Sequence, residues 1–243
     1  MTNITWPEDI YILIPSYKSV SLLREFLKSL IATVPLKRVC VVDDGSHDGT
    51  KQLCEQRGIE CIVHKENMGK GAALNSGFKH LIEKKDARWI VTMDADGQHS
   101  PDDLGLFLEV AGKKPETGIC IGARTMKPGI MPLARICSNK LTSGFLSLIT
   151  SQKIPDSQSG YRLYSTEMLK NIVLRFKRFE METEVILKAR HSGFPINYVQ
   201  VQTLYLKEGS SHISHFFDTV RWMKAVLYIL LNKNRVIKPE SES

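Results

Sequence analysis

Three clusters of oxygen-bearing side chains invite chemistry: Asp43-Asp44-Gly45-Ser46, Asp94-Ala95-Asp96-Gly97-Gln98 and Pro155-Asp156-Ser157-Gln158-Ser159-Gly160. Two carboxylates one residue apart at a strand end can share a hard divalent cation, which takes oxygen ligands and can bridge two phosphates. Asp94 and Asp96 have that spacing, and Gln98 offers a third oxygen. An isolated Asp-x-Asp is more often a solvated turn, so the pair gains weight only from its surroundings. Asn67-Met68-Gly69-Lys70-Gly71 can offer backbone N–H groups and a lysine to an anion where a helix begins, with a simple turn and surface lysine as the equal alternative. It is not a Walker loop, because the leading Gly is missing and Gly71 stands where a hydroxyl is required. No GxGxxG follows the first apolar run, which argues against a dehydrogenase-type dinucleotide fold.

The elements that must position these clusters alternate. Tyr11–Ile14, Val39–Val42, Cys61–Val63, Trp89–Met93 and Ile119–Ile121 read as short buried strands. Leu22, Leu23, Phe26, Leu27, Leu30 and Ile31 recur at helical spacing behind Ser19 or Ser21, and Ala72–Leu81 forms a second helix. Ser100-Pro101-Asp102-Asp103 is a helix start, with a Ser N-cap, a Pro in the first turn and two acids on the positive end of the dipole. This rhythm predicts an α/β protein with a doubly wound, mainly parallel sheet, and such sheets bind ligands at the carboxyl ends of their strands. Pro15-Ser16-Tyr17 and the first two acidic clusters fall at those ends. Residues 130–150 and 213–231 read as apolar helices carrying cations; either packs in the core with its cations snorkelling or lies in a membrane interface.

Charge divides unevenly. The formal net charge is +7, but residues 1–122 hold 15 basic and 17 acidic side chains, whereas 123–243 hold 18 and 9. A negatively charged partner is therefore expected at the second half. A hydrophobic share of 42% with 24% charged residues excludes a disordered or collagen-like chain. Five cysteines without a CxxC pair predict buried reduced thiols and a reducing compartment. Neither a secretory signal nor an apolar run of about 20 residues is visible, so a cytoplasmic protein, peripheral at most to the membrane, is expected. The expected organisation is one domain over 1–235 with a disordered tail over 236–243.

Six motifs in order then resemble family-2 glycosyltransferases with the GT-A fold. They are Pro15-Ser16-Tyr17, Val42-Asp43-Asp44-Gly45-Ser46 with Asp48-Gly49-Thr50, Asn67–Gly71, Asp94–Gln98, Gly122-Ala123-Arg124, and Asp156–Tyr164 followed by Phe179–Glu184. The last pair is similar to the dolichyl- or polyprenyl-phosphate mannosyl- and glycosyltransferase branch. Such a resemblance implies a metal-dependent, inverting transfer from a nucleotide-diphospho-sugar, of GDP-mannose or UDP-hexose type, to a polyprenyl or dolichyl phosphate. It implies a nucleotide-sugar-binding part over 1–125 and an acceptor-binding part over 126–235, with Pro15, Tyr17, Val42 and Asp44 lining the nucleoside pocket and Lys70, Ala95 and Arg124 meeting the donor. Asp94, Asp96 and Gln98 would hold Mg²⁺ or Mn²⁺. Asp156 is the first candidate for a general base and Glu182 the second; Gln158, Arg162 and His212 are candidates for acceptor or phosphate contact, with a structural role for Arg162 equally open. Lys18-Ser19 stand where the family often has Asn-Glu, which unsettles the usual base specificity.

The partners so implied are the donor, a lipid-phosphate or glycan acceptor, a peripheral membrane contact and a separate membrane-anchoring subunit. The alternative is a saccharide acceptor in surface-polysaccharide or glycolipid synthesis. A basic nucleic-acid-binding protein is the remote one, since no helix-turn-helix or aromatic sheet motif accompanies the charge. A nucleotidyltransferase would need a Gly/Lys/Arg-rich loop after the first strand, and Pro15-Ser16-Tyr17-Lys18-Ser19 is not one.

Overall fold

The computed structural model describes residues 6–129, 131–202 and 215–232, the last with backbone alone for 215–220. Strands and helices follow as β1 Ile10–Ser16, α1 Val20–Leu30, β2 Val39–Asp43, α2 Thr50–Arg57, β3 Glu60–Val63, α3 Lys70–Lys85, β4 Trp89–Thr92 and α4 Leu104–Lys113. The second half adds β5 Ile119–Arg124, α5 Leu133–Thr150, β6 Arg162–Ser165, α6 Thr166–Asn171, α7 Glu180–His191, β7 Ile196–Val201 and α8 His215–Leu231.

The strands form one sheet in the order β3-β2-β1-β4-β6-β5-β7. All neighbours pair parallel except that β6 runs against both β4 and β5. The mixed α/β fold with a mainly parallel sheet is thus the one the sequence predicts. Because side chains alternate across a strand, each central strand feeds two cores. Ile10, Ile12 and Ile14 pack with Leu23, Phe26, Leu27 and Phe107 of α1 and α4 on one face. Tyr11 and Leu13 pack with Leu74, Phe78, Val185 and Ile186 of α3 and α7 on the other. The helix α3 lies so close to β1 that a Cβ on Gly77 would sit 2.3 Å from Leu13 Cδ1.

Helix starts reveal how the loops are tied. Ser100 Oγ accepts from the Asp102 N–H at 3.3 Å, as expected, but the first turn is a tight 3₁₀ turn and α4 proper begins at Leu104. Ser19 does not cap α1 with its side chain; Asp48, from the loop after β2, accepts the Val20 N–H at 3.0 Å instead. The same loop accepts the Lys18 N–H on Ser46 Oγ at 3.0 Å, so the segments after β1 and β2 are stapled together. Strand β1 runs on to Ser16, past the Pro15 at which the expected strand closes.

The expected helices over 130–150 and 213–231 are α5 and α8. Strands β6 and β7 and helices α2 and α6 are among the additions to the predicted set. Cys40, Cys54 and Cys120 are buried and Cys61 partly so; Cys137 departs from the expectation and is exposed on α5. The tail over 236–243 lies outside the described residues.

Candidate functional site

The sheet's direction of winding changes at β1. The connection after β1 leads to β2 on one side, and α3 carries the chain back to β4 on the other. Open α/β sheets bind ligands in the crevice at such a switch point, beyond the carboxyl ends of the strands. Ser16 and Tyr17 end β1 there, and Asp94 follows β4.

Lys70, the first residue of α3, joins two carboxylates in this crevice. Its Nζ lies 2.7 Å from Asp94 Oδ1 and 2.7 Å from Glu182 Oε1, and all three side chains are largely buried. Burial alone would lower the lysine pKa, but the two carboxylates reverse this and hold it above the usual lysine range. Burial likewise opposes ionisation of Asp94, and Lys70 overcomes it, leaving the Asp94 pKa low. Asp96 has the opposite fate: burial and the charge of Asp94 push it up to about 6. Its Oδ1 accepts the Gln98 N–H at 3.0 Å. The Asp94 N–H donates to His99 Nδ1 at 3.1 Å; His99 is buried, stacks on Tyr161 with centroids 5.0 Å apart, and burial drives its pKa down to about 4.

The backbone of Gly160 closes this floor. A Cβ there would fall 2.5 Å from Asp94 Oδ2 and 2.9 Å from Lys70 Nζ, and the Gly160 carbonyl accepts from Thr92 Oγ1 at 2.7 Å. Glycine is required because this loop passes against Asp94 and Lys70 with no room for a side chain.

Two carboxylates at a strand end, one of them reluctant to ionise beside the other, suit a hard divalent cation. Among the described residues no group of three His, Cys, Asp or Glu side chains surrounds a common point. Further oxygen ligands would therefore come from Gln98 or from a bound phosphate.

The alternating acids of α7 point in different directions, as 100° per residue requires. Glu182 meets Lys70, whereas Glu184 turns away to accept the N–H groups of Arg175 and Phe176 at 3.0–3.1 Å and pairs with Lys188 at 2.6 Å. Glu180 lies 3.6 Å from Arg221 of α8.

Several residues singled out from sequence take other positions. Asp156 is fully buried and receives Arg124 Nε, Arg124 Nη2, the Arg124 N–H, Asn139 Nδ2 and the Gln158 N–H. Arg162 is also fully buried; it donates to the carbonyls of Ser157, Ser159 and Glu182 at 2.6–2.7 Å, so its guanidinium clamps the 157–159 loop onto α7, with Nη2 4.0 Å from Glu182 Oε2. Gln158 remains at the surface, donating to Ser138 and Thr142 of α5.

Val42 and Ala95 turn their side chains into the two cores, so only their backbones border the crevice. Asp44 is consumed by the loop before α3: it accepts the N–H groups of Met68 and Gly69 at 2.9 and 2.7 Å and pairs with His64 at 2.7 Å. His64 Nε2 reaches Ser76 Oγ at 2.9 Å. The Ala72 N–H is taken by the Lys177 carbonyl at 3.0 Å. Three N–H groups that could have met an anion are thus satisfied within the chain, and Lys70 alone of that motif reaches the acidic cluster. Pro15 is partly exposed and Tyr17 exposed at the mouth, with Lys18 Nζ 5.3 Å from the Tyr17 ring centroid. His212 lies outside the described residues. Asn139, Gly160 and His99 were not singled out beforehand; only the spacing of Gly160 within the Asp156 motif hinted at any of them.

This fold, with carboxylates and cations gathered beyond its parallel strands, defines a transferase of the GT-A architecture. Residues 11–173 match the family model described as Glycosyl transferase family 2, and the chain belongs to that family. It is 29% identical over 218 residues to the UDP-N-acetylglucosamine–dolichyl-phosphate N-acetylglucosaminyltransferase of Methanococcus voltae, covering 81% of this chain and 86% of that one. It is 27% identical over 233 residues to the polyprenol monophosphomannose synthase of Mycolicibacterium smegmatis, covering 87% and 85%. Among solved structures, glucosyl-3-phosphoglycerate synthase from Mycobacterium tuberculosis, in complex with Mn²⁺, UDP and glucosyl-3-phosphoglycerate, superposes with a TM-score of 0.68 over 96% of this chain and 82% of its own. At 15% identity that likeness is one of fold.

Proposed function

We propose that this glycosyltransferase moves a sugar from a nucleotide-diphospho-sugar to a polyprenyl or dolichyl phosphate, with Mg²⁺ or Mn²⁺ on the donor diphosphate. The observation that carries the reading is the Lys70 bridge between Asp94 and Glu182 at the switch point, with Asp96 beside it. It gathers, in one partly buried crevice, the acids for a metal and the cation for a phosphate.

Asp94 and Asp96, with Gln98 as a further oxygen, would hold the metal, whose chemistry is to stabilise charge on the departing diphosphate. Pro15 and Tyr17 would border the nucleoside, and Arg124, forked onto Asp156, would meet the charge of the donor diphosphate. In the reaction an acceptor oxygen forms a bond to the sugar's anomeric carbon as the bond from that carbon to the diphosphate breaks. The electron pair leaves with the nucleoside diphosphate, and one displacement inverts the centre. A phosphate acceptor is already anionic near neutral pH and needs little help from a base. Where a proton must be taken, Glu182 is the better-placed carboxylate, because Asp156 is saturated with donors.

The relatives named above differ in sugar and share a lipid-phosphate theme, so lipid phosphate is the better-supported half of the assignment. Two outward apolar stripes fit it. Leu141 and Leu148 of α5 are 75% and 78% exposed, Met223 and Leu227 of α8 are 56% and 58% exposed, and Phe145 touches Trp222 edge-on between the helices. No acidic residue lies in α5, and Arg135, Lys140 and Lys224 flank the stripes. No helix of the described residues is long and apolar enough to cross a membrane; the contact the stripes would make is peripheral, with or without a separate anchoring subunit.

The test is transfer of radiolabelled sugar from a panel of UDP- and GDP-sugars with Mn²⁺. Label in the lipid extract with polyprenyl phosphate supports the reading. Label only in a water-soluble glycan assigns a saccharide acceptor instead.

A further inference from the structure

The Lys70 contacts have a consequence for how the site loads, and it rests on the metal assignment above. One oxygen of Asp94 is covered by a cation of the chain itself. Oδ1 carries Lys70 Nζ at 2.7 Å, whereas Oδ2 lies beside the space that Gly160 leaves by having no side chain. A divalent ion needs an Asp94 oxygen at about 2.0–2.6 Å, closer than the ammonium sits. Its route to Oδ1 runs through the lysine.

We propose that Lys70 is an exchangeable internal cation: it holds Asp94 and Glu182 together and is displaced from Asp94 when the metal binds.

The local architecture suits a side chain that moves on a backbone that does not. The loop leading to α3 is pinned by Asp44 through Met68 and Gly69, and the first turn of α3 by Lys177 through Ala72. A Cβ on Gly71 would lie 2.7 Å from the carbonyls of Phe176 and Arg178, so the helix start is wedged as well. Lysine is a compact charge on a flexible four-carbon stem, able to leave one acceptor for another without backbone movement. A second seat is at hand. The Phe179 ring, 51% exposed at the mouth, has its centroid 5.9 Å from Lys70 Nζ, within the range at which an ammonium is held by an aromatic face. Lys70 acts as a positioning residue.

Mn²⁺ binding measured by electron paramagnetic resonance without any nucleotide reads this directly. If the lysine-bound state holds about nine-tenths of the population, removing it tightens Mn²⁺ binding about tenfold, since apparent affinity scales with the competent fraction. Lys70→Met is therefore expected to bind Mn²⁺ about tenfold tighter than wild type and to gain a Mn²⁺-dependent rise in Tm. Lys177→Met, which removes an exposed cation nearby but covers no Asp94 oxygen, is expected to change affinity less than about twofold. Lys70→Arg, whose fork can grip both carboxylates, is expected to weaken Mn²⁺ binding about threefold or more, and it serves as the test should Lys70→Met not fold. Unchanged or weaker binding in Lys70→Met, an equal gain in Lys177→Met, or no effect of Lys70→Arg would overturn the proposal. Because no turnover is measured, these outcomes stand apart from the lipid-phosphate assay, whose failure would leave the cation exchange intact.

Discussion

Arg124 and Asp156 meet as a fork on a carboxylate, with Nε on Oδ2 at 2.8 Å and Nη2 on Oδ1 at 3.0 Å, and the Arg124 N–H adds a third bond to Oδ2 at 3.1 Å. Asn139 of α5 donates to Oδ1 as well, at 2.5 Å. One buried carboxylate thus ties the end of β5, the helix α5 and the 156–160 loop that backs Asp94. Paired bonds of this kind fix direction as well as distance, so Asp156 sets the orientation of the Arg124 side chain.

Asp156→Asn should therefore act on stability first. Breaking a buried pair by neutralising one partner costs about 3–5 kcal/mol, and chemical denaturation should show a loss of that order. Burial raises the Asp156 pKa, but Arg124 and Asn139 outweigh it and leave it below the usual carboxylate range. The stabilisation is then fully present above the unfolded value and disappears as pH falls through the lower folded value. Wild type should lose this stability only below about pH 4, and the variant should lack that acid transition. Near-normal stability in Asp156→Asn would refute the clamp.

The strands β1 to β5 were legible because those that are buried on both faces read as unbroken apolar runs, as in Ile12-Leu13-Ile14 and Val39-Cys40-Val41-Val42. Strand β6 was not, since it opens on Arg162, whose charge is satisfied by three carbonyls that only the folded loop and α7 bring together. Strand β7 hid for the opposite reason. It lies at the sheet edge, and Asn197 and Gln200 interrupt its apolar pattern. The acids at the strand ends were legible from topology, whereas the partner of Lys70 on α7 lies 112 residues away and follows from no local pattern. For the same reason sequence placed Asp156 ahead of Glu182 as a base: the motif is visible in the chain, but the donors that saturate it come from β5 and α5.

Asp96 yields a prediction of opposite sign. Its folded pKa, pushed up to about 6 by burial and by Asp94, exceeds the unfolded value. The native state therefore favours the protonated form, and its stabilising effect, full below the unfolded value, fades as pH rises through 6. Asp96→Asn should raise Tm at pH 7.5 by about 2–4 °C without metal, while Mn²⁺-dependent turnover falls at least about a hundredfold. Scanning calorimetry with and without Mn²⁺ checks both. A lower metal-free Tm would show that Asp96 is not held against its preference.

Gly160→Ala probes the floor of the site. The new Cβ would lie 2.5 Å from Asp94 Oδ2, so Asp94 must shift, while the neighbouring Lys70 tip can move aside. Overpacking of this kind costs about 1–3 kcal/mol, and misplacing a reacting group by about 1 Å can cost a hundredfold in rate. Turnover should drop far more than stability. Full activity in Gly160→Ala would mean that the position of Asp94 does not limit the reaction.

The stripes on α5 and α8 can be separated from the core, because Leu141, Leu148, Met223 and Leu227 point outward. Replacing them with Ser removes apolar area from the surface without opening a cavity, so Tm should stay within about 2 °C of wild type. Seating a Leu or Met side chain in an interface is worth up to about 1.5–3 kcal/mol when burial is complete, and half of that is about a factor of four to ten in partitioning. Leu141→Ser with Leu148→Ser should therefore weaken flotation with vesicles containing phosphatidylglycerol by at least about tenfold. Met223→Ser with Leu227→Ser should act similarly, since Phe145 and Trp222 join the two helices into one face. Added salt should weaken wild-type binding by screening Lys140, Lys224 and their neighbours, but should not abolish it. Transfer to a short, water-soluble prenyl phosphate should survive these substitutions while transfer to vesicle-borne polyprenyl phosphate falls. Equal loss on both acceptors would place the stripes in the catalytic fold and not at a membrane.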